Sequence, residues 1–152
     1  MEFFSSLANA PSLPLLFVIS FLAATVVPLG SEWLLVLMIV QGFSVGETVI
    51  AASLGNYLGS CTTYMIGQYG STFIISKLLR IDTAQLIRAK KLYAKYGKWS
   101  LLVSWLPIIG DPICLVAGIF KVNWLRFSTL VFIGKFCRYA TVAYFAHKAI
   151  IV

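Results

Sequence analysis

Four charged residues stand inside apolar stretches of this chain. Glu32 lies in "VPLGSEWLLVL", Asp111 in "SWLPIIGDPICLVAG", and Lys135 and Arg138 in "VFIGKFCRYATVAYF". Inside a bilayer each would cost on the order of 2.5–3.5 kcal/mol, so two acids and two bases imply mutual pairing in a protein interior. Lys135 and Arg138 are three residues apart, which puts them on one side of a helix, and both suit a phosphate group. An acid at the tip of a broken helix can be held neutral or paired with Arg138, which makes a proton-coupled cycle compatible with the pattern. Two readings follow. The charges form either a network that fixes helix packing or a polar midplane cavity that binds an anionic head group or relays protons. Buried pairs contribute little net stability, and acids at two helix tips favour the cavity.

Other chemistry is missing. The one histidine, His147, lies near the C-terminal end, and no Ser-His-acid spacing, metal cluster or phosphate-cradling glycine loop is present. Cys61, Cys114 and Cys137 all fall in apolar stretches and read as small membrane-buried residues. Neither a cofactor nor a metal is expected, and the chain does not read as an enzyme.

The elements that must position the charges are membrane segments. The 152 residues are 60% hydrophobic and 11% charged, with mean hydropathy +0.92, more apolar surface than a soluble domain of this size can hide. A single domain, residues 1–152, is expected. The formal charge of +7 resides between apolar stretches, as in loops on the positive side of a membrane, and argues against nucleic acid as a partner. The start, "MEFFSSLANAPSLP", lacks a basic region, so no cleaved signal peptide is expected.

The first apolar region, 13–42, is too short for two spans and is broken at Pro28 and Gly30. Residues 48–79 suit a full transmembrane helix with a stripe of small residues, Ala52, Gly55, Gly59, Thr62 and Gly70, and with Asn56 as a polar candidate. Residues 82–98 predict an amphipathic interfacial helix, with Leu86, Ala89, Leu92, Tyr93 and Tyr96 on one face and Arg88, Lys91, Lys95 and Lys98 on the other. Its cations place it in the cytoplasm. The region 99–120 carries Pro107 and Pro112. If it turns back there, Lys121 and Arg126 stay on the same side as the basic helix. Residues 124–150 form a second full span.

The two broken regions resemble one another. "PLGSEWLLVL" and "PIIGDPICLV" each place an acid four residues after a proline, which aligns Glu32 with Asp111. Separated by one span, the two units would enter from opposite faces as an inverted repeat, the plan of many transporters. The expected fold is an all-α integral membrane protein. It has two re-entrant (broken) helical hairpins in inverted repeat, two full transmembrane helices and a basic amphipathic interfacial helix. The cavity between them would be lined by Pro28, Gly30, Asn56, Ser60, Pro107, Gly110 and Pro112.

Four stretches, "VVPLGSEWLLVL", "GNYLGS", "SWLPIIGDPICLVAG" and "GKFCRY", make the chain resemble the DedA family. These are the SNARE-associated or VTT-domain membrane proteins, and the likeness is to their short YqaA-like branch. The resemblance implies two facing re-entrant hairpins and movement of phospholipid or undecaprenyl phosphate across a bacterial inner membrane. It also implies links to envelope integrity and proton-motive force. Glu32 falls on the family's acidic position in the first hairpin, and Pro107, Ala117 and Gly118 fall on its second-hairpin pattern. Where the family has two arginines around the second proline, this chain has Ser104 and Gly110. Its usual aspartate in the next helix corresponds to Ser60. Expected partners are therefore membrane lipids, with protons as the candidate coupling ion. A homo-oligomer and a non-transporting scaffold remain alternatives.

Overall fold

The computed structural model describes residues 11–25, 30–70, 83–106 and 109–151. Among them the chain is all helical: α1 (Leu13–Ala23), α2 (Glu32–Val40), α3 (Val45–Tyr69), α4 (Thr83–Tyr96), a 3-10 helix (Gly97–Trp105), α5 (Gly110–Ile119) and α6 (Trp124–Ile151). Pro28, Pro107, Asp82 and the 71–79 end of the expected second segment lie outside the described residues.

Both apolar regions expected to be broken are pairs of short helices. In the second region, the first member is a 3-10 helix continuing from α4, a longer run than this geometry usually sustains. Its three-residue period aligns buried Leu101 with buried Ser104. Pro112 does not break the region as expected. It sits buried in the first turn of α5, where a helix tolerates proline because the missing N–H had no helical partner there.

The repeat extends well beyond the two acids. The offset that carries Glu32 onto Asp111 also carries Gln41, Gly42 and Phe43 onto Phe120, Lys121 and Val122, and both turns close through the same bonds. Gln41 N–H donates to Leu37 O at 3.0 Å and Phe120 N–H to Val116 O at 2.9 Å. Gly42 N–H reaches Ile39 O at 3.0 Å and Lys121 N–H reaches Gly118 O at 2.9 Å. Phe43 N–H reaches Met38 O and Val122 N–H reaches Ala117 O, both at 3.0 Å. This is the Schellman ending, with a left-handed residue that lets the next helix start at once. The same offset superposes α3 on α6 and aligns six buried positions: Thr48, Ala52, Gly55, Asn56, Ser60 and Tyr64 with Phe127, Val131, Gly134, Lys135, Tyr139 and Ala143.

Packing follows the same symmetry. α3 rests on α1 and α5, while α6 rests on the 3-10 helix, α2 and α3. Each long helix therefore holds the first short helix of its own repeat and the second of the other. Where α3 meets α6, the Tyr57 and Ser128 hydroxyls are hydrogen-bonded and the Tyr57 and Phe132 rings meet edge to face at 5.5 Å. α4 keeps the expected amphipathic pattern, but its apolar face packs on protein. Ala89 is fully buried, and Tyr93 stacks on Phe120 at 5.1 Å.

No described helix is both long enough and apolar enough to cross a membrane, contrary to the two full spans expected. The reason is where the polar residues go. α3 turns Ser53, Asn56, Ser60 and Thr63 inward and leaves Ile50, Leu54, Leu58 and Met65 outside. α6 buries Lys135 and exposes Leu125, Ile133, Phe136 and Phe145. An average over all sides of such a helix is moderate, although its outer face is apolar.

α1 and α3 approach until backbone touches side chain. A Cβ at Gly59 would collide with the Phe21 carbonyl and the Ala24 methyl, and one at Gly55 with the Phe17 carbonyl. Ala52 is fully buried in one apolar cluster with Leu16 of α1, and Thr63 Oγ1 donates to Ala24 O at 3.0 Å. Thr62 instead bonds back to Leu58 on the exposed side, and Gly70 caps the helix, so neither belongs to the small-residue stripe. Gly59→Leu should therefore cost about 3 kcal/mol or more by overpacking. The exposed Gly46→Ala should add about 0.5–1 kcal/mol. Thermal unfolding in detergent measures both, and an unchanged melting point for Gly59→Leu would refute the close approach.

Candidate functional site

Glu32 is the first residue of α2, and Asp111 lies in the first turn of α5. Both acids thus occupy helix N-termini, where the backbone dipole favours negative charge. α6 supplies both cations from one side. Lys135 Nζ donates to Asp111 Oδ1 at 3.1 Å, and Arg138 Nη2 donates to Glu32 Oε1. The four residues named for chemistry are therefore brought together as two pairs, each joining a short helix of a broken region to the same long helix.

The two pairs differ in surroundings. Lys135 is 1% exposed, while its partner Asp111 keeps about a quarter of its side chain exposed, so this pair runs from the interior to the surface. Glu32 and Arg138 each keep part of their side chains exposed. They line a cleft of about 620 Å³ together with Gly30, Trp105, Cys137, Thr141 and Val142. Gly30 makes room for this arrangement, since a Cβ there would collide with the Glu32 carboxylate. Ser31, the buried N-cap of α2, shares a 2.5 Å hydrogen bond with the Tyr139 hydroxyl next to Arg138. Tyr139 is almost fully buried, so this bond fixes the start of α2 against α6 and sets the reach of Glu32.

The remaining candidates lie elsewhere. Asn56 Nδ2 donates to Ser20 O at 3.1 Å and so serves the α1–α3 contact, whereas Ser60 Oγ bonds back within α3 to Asn56 O at 3.1 Å. Gly110 and Pro112 are buried within α5. Pro28 and Pro107 are outside the described residues. The cleft at the first pair does not extend to the second, since neither Asp111 nor Lys135 lines it. Asn56 Oδ1 and the hydroxyls of Ser20, Ser53 and Ser104 are buried without a partner among the described residues.

Trp105, Cys137, Thr141 and Val142 were not singled out by the sequence. Thr141 and Val142 lie three and four positions after Arg138, so helical spacing alone would have placed them beside it. Trp105 gave no such signal, because its place depends on how the 3-10 helix packs on α6. Cys137 faces the cleft and is exposed, whereas Cys61 and Cys114 are buried within the protein. No group of three or more metal-ligating side chains occurs among the described residues.

Known proteins give this arrangement a context. Residues 10–148 match the VTT domain. The chain is 36% identical over 138 residues to the inner membrane protein YqaA of Escherichia coli, covering 90% of this chain and 92% of YqaA. An uncharacterised protein of Haemophilus influenzae is 33% identical over 144 residues, covering 90% of this chain and 88% of the relative. The uncharacterised membrane protein YkoX of Bacillus subtilis is 32% identical over 117 residues, which is 74% of this chain but 51% of YkoX. No solved structure matches. With the domain match spanning nearly the whole chain and the broken, repeated helices in place, this chain belongs to the VTT-domain, or DedA, family.

Proposed function

We propose that this chain is a multi-pass protein of the bacterial inner membrane that moves the phosphate head group of a lipid through the Glu32–Arg138 cleft. The membrane placement is supported by the inner membrane relative and by the outward apolar faces of α3 and α6, since a water-soluble surface rarely carries such stripes. α1 and α2 are each about 14–16 Å long, half of a hydrocarbon core about 30 Å thick. Each broken pair is then a re-entrant hairpin, and the basic face of α4 lies on the cytoplasmic side.

The observation that carries the reading is the partly exposed ion pair in a mainly apolar cleft at the tip of a broken helix. The guanidinium of Arg138 can present two parallel donors to a phosphate. A head group that engages Arg138 displaces Glu32, which a proton then neutralises, so that charge in the cleft stays balanced. That exchange couples cargo to protons. Anionic phospholipid and undecaprenyl phosphate share the chemistry required.

A second reading is favoured by a specific observation and applies to the other pair. Lys135 is almost fully buried and bonds to Asp111 in the first turn of α5, which suits a tie that holds α5 to α6. Asp111→Asn would strand a buried ammonium at a cost of about 3–5 kcal/mol and should abolish folded yield. Asp111→Asn combined with Lys135→Met should restore it. A single variant that melts like the wild type would remove the tie.

The transport claim is tested in proteoliposomes with a fluorescent phosphatidylglycerol. The wild type should move the lipid across the bilayer, and Arg138→Gln should slow movement about tenfold. Absence of movement by the wild type under every pH gradient would reject the function.

A further inference from the structure

Away from the ion pairs, a second cleft of about 490 Å³ opens between the C-terminal end of α3 and the turn from α5 to α6. Tyr64, Gln68, Tyr69, Lys121, Asn123 and Trp124 are among its walls. Lys121 is exposed and makes no ion pair among the described residues. It also holds a left-handed backbone, at φ 50°. The matching residue of the other repeat is Gly42, at φ 90°, the residue type for which this conformation costs nothing. A lysine in that place gives up backbone stability, and the same hydrogen bonds close the turn without it, so its side chain needs another reason to be there.

The surroundings of Lys121 point to a ligand. Its turn is fixed to α3, because the Tyr64 hydroxyl donates to Val122 O at 2.5 Å. The start of α6 is already satisfied by Asn123 Oδ1, which accepts from Leu125 N–H at 3.1 Å and Arg126 N–H at 3.4 Å. The attraction for an anion therefore comes from the ammonium, with the Gln68 amide at the cleft wall. Tyr69, 77% exposed, and half-exposed Trp124 flank the site as rings of the kind that settle between head groups and acyl chains. Phe120, next to Lys121, stacks on Tyr93 of α4, so the basic helix ends up on the same face of the bundle. Anionic lipid is concentrated on that side of a membrane.

We propose that this cleft binds the phosphate head group of an anionic membrane phospholipid, with Lys121 as its charge partner and Tyr69 and Trp124 bracketing the glycerol region. It rests on the membrane placement proposed above but requires no transport, since it shares no residue with the Glu32–Arg138 cleft. Because Gly42 replaces the lysine in the first repeat, the site exists on one face only.

Native mass spectrometry of the intact protein, with phosphatidylglycerol and phosphatidylcholine as probes, tests this. The wild type should retain phosphatidylglycerol in preference to phosphatidylcholine. Lys121→Gly should bind it about fivefold more weakly, the loss of one cation near the membrane surface. The same variant should melt no lower than the wild type, because glycine relieves the turn, and Lys121→Arg should keep the affinity. Undiminished phosphatidylglycerol binding by Lys121→Gly, or equal retention of phosphatidylcholine, would overturn the proposal. Binding of glycerol 3-phosphate as tight as that of the lipid would overturn the assignment to a membrane lipid.

Discussion

Two ion pairs bind the ends of short helices to one long helix, and the remaining architecture follows from holding those ends together. Lys135 and Arg138 stand on the same side of α6, so the acids they hold must approach from that side. α2 and α5 therefore converge on α6 with their N-termini leading. Both broken regions then need a first short helix to return the chain, and these are α1 and the 3-10 helix. α3 closes the bundle by packing glycine to backbone on α1. Each of these contacts would be affordable without charges in the interior, but the charges fix which ends meet.

The repeat makes the design economical and its departures informative. The two turns use the same three hydrogen bonds, and α3 and α6 bury equivalent positions. Against that background the differences stand out. Asn56 occupies the place of Lys135 and Gly59 the place of Arg138, so one long helix carries both cations and the other none. The interior is consequently lopsided, with Lys135 almost fully buried and Arg138 facing a cleft. Gly42 and Lys121 differ in the same way at the surface.

Much of this was legible in the sequence because it follows from local chemistry. An acid beyond a proline in two similar stretches located both helix N-termini, and cations three residues apart located their partners. The residues that lay hidden depend on rotation and approach. Whether Asn56 lines a cavity or bonds to α1 is decided by how α3 is turned, and Ser20 gives no hint of accepting from it. Trp105 joins the cleft because the 3-10 helix packs on α6, a fact without periodic signature. The two expected full spans rest on apolar residues alone, whereas α3 and α6 carry polar side chains turned inward, and neither is apolar enough as a whole to cross a membrane. Pro112 read as a breaker because its place in the first turn of α5 was unknown.

The central claim is that the Glu32–Arg138 pair works on cargo rather than holding the bundle. Glu32→Gln combined with Arg138→Gln separates the two roles, since replacing both charges by neutral groups of similar shape leaves no stranded ion and costs little stability. The decisive measurement is the rate of phosphatidylglycerol movement in proteoliposomes made from this folded double variant. The account predicts movement reduced to the protein-free background at a wild-type melting temperature. Movement at the wild-type rate would contradict it and leave the pair as a structural tie.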